Sequence, residues 1–212
     1  MELITKCSNW NCSSRIIAAN SARNFLNPSL AVEKALEKGI LKNGQDVLEV
    51  GAGNLRNVSF ISHKIKSACL RAFEVETTIQ KFTENYASFL KAGGMIIPSF
   101  PNRTKYDAII CTFVLETICP KASRNYLLKK IHQSLKRGGI LIASFRGVSG
   151  VIGSKYKECP KKEGWLTPLH TFIKPYTIKE IRSLLKSCGF SEVDFFQDYR
   201  VDTPKNIHLA AR

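Results

Sequence analysis

Acidic residues are scarce where basic ones are densest. Residues 121–190 hold 15 lysines and arginines against 3 aspartates and glutamates. No Cys-x-x-Cys pair occurs, and the seven cysteines are scattered, so neither a zinc site of standard spacing nor a disulfide framework is indicated. Cys7 and Cys12 have four residues between them and no histidine nearby in sequence, and no metal is expected there. The longest apolar runs, such as Ile140–Ala143, fall far short of the roughly 20 residues that cross a bilayer, so no membrane partner is expected. The opening residues, Met1–Lys6, lack a basic segment leading into a long apolar one, so no secretion signal is read. Unpaired thiols without such a signal point to the cytoplasm.

The chain has 212 residues, enough for one domain with a full core. Its net charge of +15 is unevenly spread: residues 1–120 carry 14 basic and 10 acidic side chains, and residues 191–212 carry 3 and 4. A basic surplus concentrated in one third of a chain suits a polyanion, and the expected partner is RNA or DNA.

The most specific local signal is Val47-Leu48-Glu49-Val50-Gly51-Ala52-Gly53-Asn54-Leu55-Arg56. It reads as a buried strand ending in an acid, a glycine turn and a helix start, which is how an α/β domain builds a nucleotide-type pocket. Gly51 permits the sharp turn, and Gly53 leaves backbone N–H groups open to a ligand. A dinucleotide fingerprint needs a third glycine where Arg56 stands, and a phosphate loop needs a Gly-Lys-Ser/Thr that does not follow. Glu49 would also repel a phosphate, so a ligand with positive charge near the turn fits better. Residues 68–74 read as the next strand, ending in Glu74, 21 residues after Gly53. A carboxylate there can take both ribose hydroxyls of a nucleoside.

Here the chain resembles the class I S-adenosylmethionine-dependent methyltransferases, whose first motif runs acid-x-Gly-x-Gly-x-Gly. Glu49, Gly51 and Gly53 match it, and Leu55 stands at the third glycine. The resemblance implies S-adenosyl-L-methionine as cofactor. Glu49 and the turn Gly51-Ala52-Gly53-Asn54 would hold the methionine end, Glu74 the ribose, with Val75 beside it and Glu76 as the register alternative. The family's acid after the third strand is missing, leaving Ser99 to bond the adenine amine and Phe100 to stack on the ring or simply to pack in the core. The fourth strand ends in Cys111-Thr112-Phe113-Val114-Leu115-Glu116. Cys111 is assigned to the pocket wall. The Asn/Asp-Pro-Pro-Tyr/Phe motif of DNA amino-methyltransferases is absent, and the Val-Leu-Glu string is similar to small-molecule enzymes. Glu116 and His170 are the candidate bases.

The pattern of elements agrees with that family. An N-terminal extension over residues 1–26 precedes a helix for which Asn27-Pro28-Ser29 offers a cap and a proline at the first helical position. Strands are expected at 46–50, 68–75, 93–98, 106–111 and 140–145. Helices follow the glycine turn, start at Thr77 or Thr78, and span about 121–136. Thr177 and Glu180 form a capping box, and strands at 193–196 and 207–210 close the chain. The fold expected is a three-layer α/β sandwich over residues 27–212, with seven mostly parallel strands and the last one antiparallel. Residues 146–174 interrupt the rhythm as a basic insertion with interleaved aromatics, expected to lie over the pocket and recruit the acceptor. Rival readings are a small acceptor, and a nucleic-acid-binding module with a non-catalytic pocket.

Overall fold

The computed structural model describes residues 26–67, 69–101, 103–150, 156–158, 164–167, 171–197 and 204–212. Most of the expected N-terminal extension, Cys7, Cys12 and His170 lie outside the described residues.

Helix α1 (Leu30–Glu37) buries Ala31, Val32 and Ala35 and leads through Gly39 toward β1 (Asp46–Val50). Ser29 is its N-cap, so Pro28 stands just outside the helix rather than at its first position. Then come α2 (Arg56–Lys64), β2 (Cys69–Phe73), α3 (Glu76–Lys81), α4 (Thr83–Lys91) and β3 (Met95–Ile97). One helix starting at Thr77 or Thr78 was expected; there are two, broken at Phe82, and Val75 is the first cap. The helix begins as soon as the strand ends because the Val75 N–H is taken by the Glu74 carboxylate at 2.7 Å. Further along lie β4 (Tyr106–Thr112), a 3-10 turn (Leu115–Thr117), α5 (Lys121–Ser134) and β5 (Leu135–Arg146). The chain ends with α6 (Ile178–Ser187), β9 (Val193–Phe195) and β10 (Asn206–Ala211). The Thr177–Glu180 capping box is present, with both reciprocal bonds formed.

The seven-stranded sheet has the order β3-β2-β1-β4-β5-β10-β9. Its neighbours pair in parallel from β3 to β5, while β10 runs antiparallel to both β5 and β9. The insertion contributes β6 (Lys157–Glu158), β7 (Trp165–Leu166) and β8 (Phe172–Ile173), a separate antiparallel sheet that the sequence pattern did not announce.

Alternation along the central strands sends successive side chains to opposite faces. Leu48, Ile109 and Leu141 meet Leu128, Ile131, Ile181 and Leu185 of α5 and α6 on one side. Val47, Ala108, Ile110 and Ile142 meet Val32, Val58, Ile61 and Phe89 of α1, α2 and α4 on the other. Each fully buried aliphatic side chain contributes roughly 1.5–3 kcal/mol, so the two apolar layers hold the sheet between them. Parallel pairing aligns the ends of β1, β2 and β4 at one edge, and the crevice outside that edge is where open α/β sheets bind ligands.

Candidate active site

The turn after β1 is fixed from three directions. Gly51 N–H donates to the Phe73 carbonyl at 2.8 Å, tying the turn to the end of β2. Tyr86 of α4 donates its hydroxyl to the Gly53 carbonyl at 3.0 Å, and Asn85 donates to the Asn54 carbonyl at 2.9 Å. Gly51 has φ +70°, and a Cβ placed on it would come within 2.3 Å of Val114 Cγ2, so no other residue fits there without movement. Gly53, at φ +56°, has nothing within 4 Å of where a Cβ would stand. The face of the turn at Gly53 is therefore open. Leu55, at the third-glycine position, keeps a left-handed backbone at φ +65° while its side chain is fully buried. Burial of that side chain offsets a backbone cost of about 1–2 kcal/mol.

Glu74 stands against the turn, as the sequence spacing anticipated. Its Oε2 accepts the Gly53 N–H at 2.8 Å and its Oε1 the Val75 N–H at 2.7 Å. Burial raises its pKa, and the two backbone bonds oppose that rise. A carboxylate has about four lone-pair sites, so two remain for a diol. Glu76, the register alternative, is exposed in the first turn of α3.

Glu49 is placed behind the turn. It is 1% exposed, and its oxygens accept from Asn57 Nδ2 at 2.6 Å and Val58 N–H at 3.2 Å, at the start of α2. Burial pushes its pKa up to about 8, with the bonds from Asn57 and Val58 opposing. Asn57 also donates to Thr112 Oγ1 at 3.0 Å and accepts the Ser29 N–H at 2.8 Å. This buried side chain thus connects α1, α2, β1 and the end of β4. Nothing in the sequence marked Asn57 for that role, since its partners come from three other segments.

The remaining candidates are dispersed. Ala52 and Asn54 are buried within the turn. Ser99 is exposed just after β3, and Phe100 packs edge-to-face on Phe73 with ring centroids 5.6 Å apart. Cys111, assigned to the pocket wall, is 1% exposed among core residues on the α5–α6 side, where burial pushes its thiol pKa up. Glu116 is 2% exposed in the 3-10 turn, and burial pushes its pKa up to about 7, against the opposing effect of the Arg146 charge and backbone N–H. Its Oε2 has no hydrogen-bond partner among the described residues. Among the described residues no group of three His, Cys, Asp or Glu side chains is placed to hold a metal, and no helix is long and apolar enough to cross a membrane.

Comparison with known proteins adds an independent view of this arrangement. No protein-family model matches the chain. A stretch of 104 residues, 42% of the chain, is 31% identical to carboxy-S-adenosyl-L-methionine synthase of Wolinella succinogenes and spans 43% of that relative's length. Among solved structures, the CcbJ methyltransferase of Streptomyces caelestis aligns over 92% of this chain and 95% of its own, at 15% identity and a TM-score of 0.66. The 1,6-didemethyltoxoflavin-N1-methyltransferase of Burkholderia thailandensis, solved with 1,6-didemethyltoxoflavin and S-adenosylhomocysteine bound, aligns over 86% of this chain and 75% of its own, at 15% identity and a TM-score of 0.60. The fold is thus the Rossmann-like one of class I S-adenosylmethionine-dependent methyltransferases, with the seven-stranded order and the reversed strand in place.

Proposed function

We propose that this protein is an S-adenosylmethionine-dependent methyltransferase acting on a small organic acceptor in the cytoplasm. The observation that carries the cofactor assignment is the Glu74 carboxylate held against the Gly53 amide at 2.8 Å, beside a turn open at Gly53. The residues fit a cationic nucleoside without phosphate: an acid for the ribose hydroxyls, bare backbone at the turn, and no lysine or Gly-Lys-Ser/Thr loop to receive a pyrophosphate. Glu74 and Val75 serve the ribose, residues 51–54 the methionine end, and Ser99 and Phe100 the adenine side. Glu49 acts through Asn57 and Val58, keeping the start of α2 under the turn. The bound cofactor would supply an electrophilic methyl group. This chain's part is to align the acceptor and exclude water.

A small acceptor is favoured over a nucleic acid by where the basic side chains stand. Lys136 bonds Asp46 and Asp107 at the amino edge of β1 and β4, opposite the site. Arg124 is buried and donates to the Ile118 and Cys119 carbonyls. Lys174 pairs with Glu180. The charge surplus of residues 121–190 is therefore not gathered over the pocket by these residues, while Lys155, Lys161 and Lys162 lie outside the described residues. The similarity to a methyltransferase solved with 1,6-didemethyltoxoflavin supports the same reading.

Calorimetry tests it: wild type binds S-adenosylmethionine, and Glu74→Ala binds at least about tenfold more weakly, since charge-assisted bonds contribute roughly 1.5–3 kcal/mol each. Absence of binding by the wild type ends the proposal. Methyl-labelled cofactor incubated with separated cell fractions then identifies the acceptor. A nucleic-acid product with strongly salt-dependent affinity would favour the rival reading.

A further inference from the structure

Arg146 ends β5 at the same sheet edge as the glycine turn. Lys34, Lys136, Lys174 and Arg212 each pair with a carboxylate. Half-buried Arg146 has no ion pair among the described residues. Its guanidinium lies 5.4 Å from the centroid of the Phe113 ring, and its Nη1 makes a long 3.5 Å contact with Asn206 Oδ1. Its charge is felt by Glu116, but the bond received there comes from the Arg146 backbone, not from the guanidinium fork.

Phe113, beneath that fork, has φ +59°. Among the described residues only Leu55, in the cofactor turn, shares this departure for a non-glycine. Left-handed backbone at a bulky residue costs about 1–3 kcal/mol and persists where surrounding structure enforces it, often at ligand sites. Here Phe113 N–H is bonded to the Ser144 carbonyl at 2.9 Å, and its ring packs edge-on to His208 at 6.0 Å. Burial pushes the His208 pKa down to about 4, with the Arg56 charge adding to the effect, so that ring is neutral near pH 7 and does not neutralise an anion for Arg146. A planar fork over an aromatic face, with no carboxylate paired to it among the described residues, is a preformed seat for one.

We propose that the methyl acceptor is an organic carboxylate, seated on the Arg146 guanidinium above the ring of Phe113. This rests on the methyltransferase reading and names its substrate class. Glu116 Oε2, a buried oxygen nearby that lacks a donor among the described residues, is offered a partner by an acceptor that also carries a hydroxyl or N–H.

The test uses the full chain with S-adenosylhomocysteine present and matched pairs of aromatic carboxylates and their primary amides, read by thermal shift and then calorimetry. Carboxylates raise Tm where their amides do not. Arg146→Gln removes at least tenfold of the affinity for the best carboxylate, and Arg146→Lys, which keeps charge but loses the fork, retains an intermediate affinity. S-adenosylhomocysteine affinity stays within about twofold in both variants. If Arg146→Gln does not fold, the several-fold loss in Arg146→Lys decides. The proposal is overturned if no carboxylate shifts Tm, if amides or aryl phosphates bind as well, if Arg146→Gln keeps the preference, or if it loses S-adenosylhomocysteine affinity tenfold, which would make Arg146 a cofactor residue. Failure of the wild type to bind S-adenosylhomocysteine refutes the methyltransferase reading itself and is recognisable separately.

Discussion

The Gly53 amide and the Glu74 carboxylate meet at 2.8 Å, joining the turn after β1 to the end of β2 across 21 residues of sequence. The same carboxylate holds the first amide of the next helix cap, Val75. Both amides should therefore exchange slowly with solvent in the wild type and faster in Glu74→Ala. Hydrogen exchange read residue by residue checks this; unchanged protection at Gly53 would show the bond to be absent in solution. Glu74→Gln presents an NH2 group to one of two donors and should lose most of the cofactor affinity while keeping the side-chain shape.

The two glycines of the turn should respond differently to alanine. Gly51→Ala meets Val114 Cγ2 at 2.3 Å as well as left-handed strain, whereas Gly53→Ala meets open space and only the strain. Urea unfolding should show Gly51→Ala to be more destabilising, by about 1–3 kcal/mol from overpacking. Val114→Ala should restore part of that loss in a double-mutant cycle. Equal destabilisation by the two substitutions contradicts the packing described.

Asn57 satisfies three partners at once: Glu49, Thr112 and the Ser29 amide. Asn57→Leu has similar volume but leaves those groups buried without partners. The expected loss is about 2–4 kcal/mol, since each buried unsatisfied group costs roughly 1–3. Chemical denaturation measures it, and a loss below about 0.5 kcal/mol would contradict the network's assigned role.

Stability should fall as pH rises above about 5. Burial raises the pKa of Glu49 to about 8 and of Glu116 to about 7, so between the ordinary carboxyl value and these values the folded chain binds more protons than the unfolded one. Stability then declines with pH, by at most about 1.4 kcal/mol per unit for each group. Their contribution is fully present below the unfolded value of 4.5 and is exhausted near pH 7 for Glu116 and pH 8 for Glu49. Asp107 and Glu180, whose pKa values are lowered by Lys136 and Lys174 against the opposing effect of burial, act in the other direction and lose their contribution in acid. Urea midpoints between pH 5 and 8.5 measure the slope. Glu116→Gln should flatten its lower part, because an amide cannot titrate.

Local signals made the glycine turn and the acid against it readable in advance. Glu49, Gly51, Gly53 and Glu74 lie at strand ends, and their spacing follows from strand length and the reach of one crossover helix. The strands themselves were readable because the buried stretches 47–50, 108–111 and 140–145 are covered on both faces and largely apolar. The β6–β8 sheet was not, since two-residue strands have no periodicity to detect.

What sequence alone determined was the order of elements, the α/β layering and the identity of the turn, because these depend on patterns within about ten to thirty consecutive residues. Tertiary structure decided where the side chains face. Glu49 is turned to the start of α2, where Asn57 and Val58 bond it, and Arg146 stands over Phe113 because parallel register brings Thr112 beside Ser144. The pairing of Lys136 with Asp46 and Asp107 was likewise invisible until the chain was folded. Burial and pairing between segments far apart in sequence are properties of the assembled layers, and no local pattern encodes them.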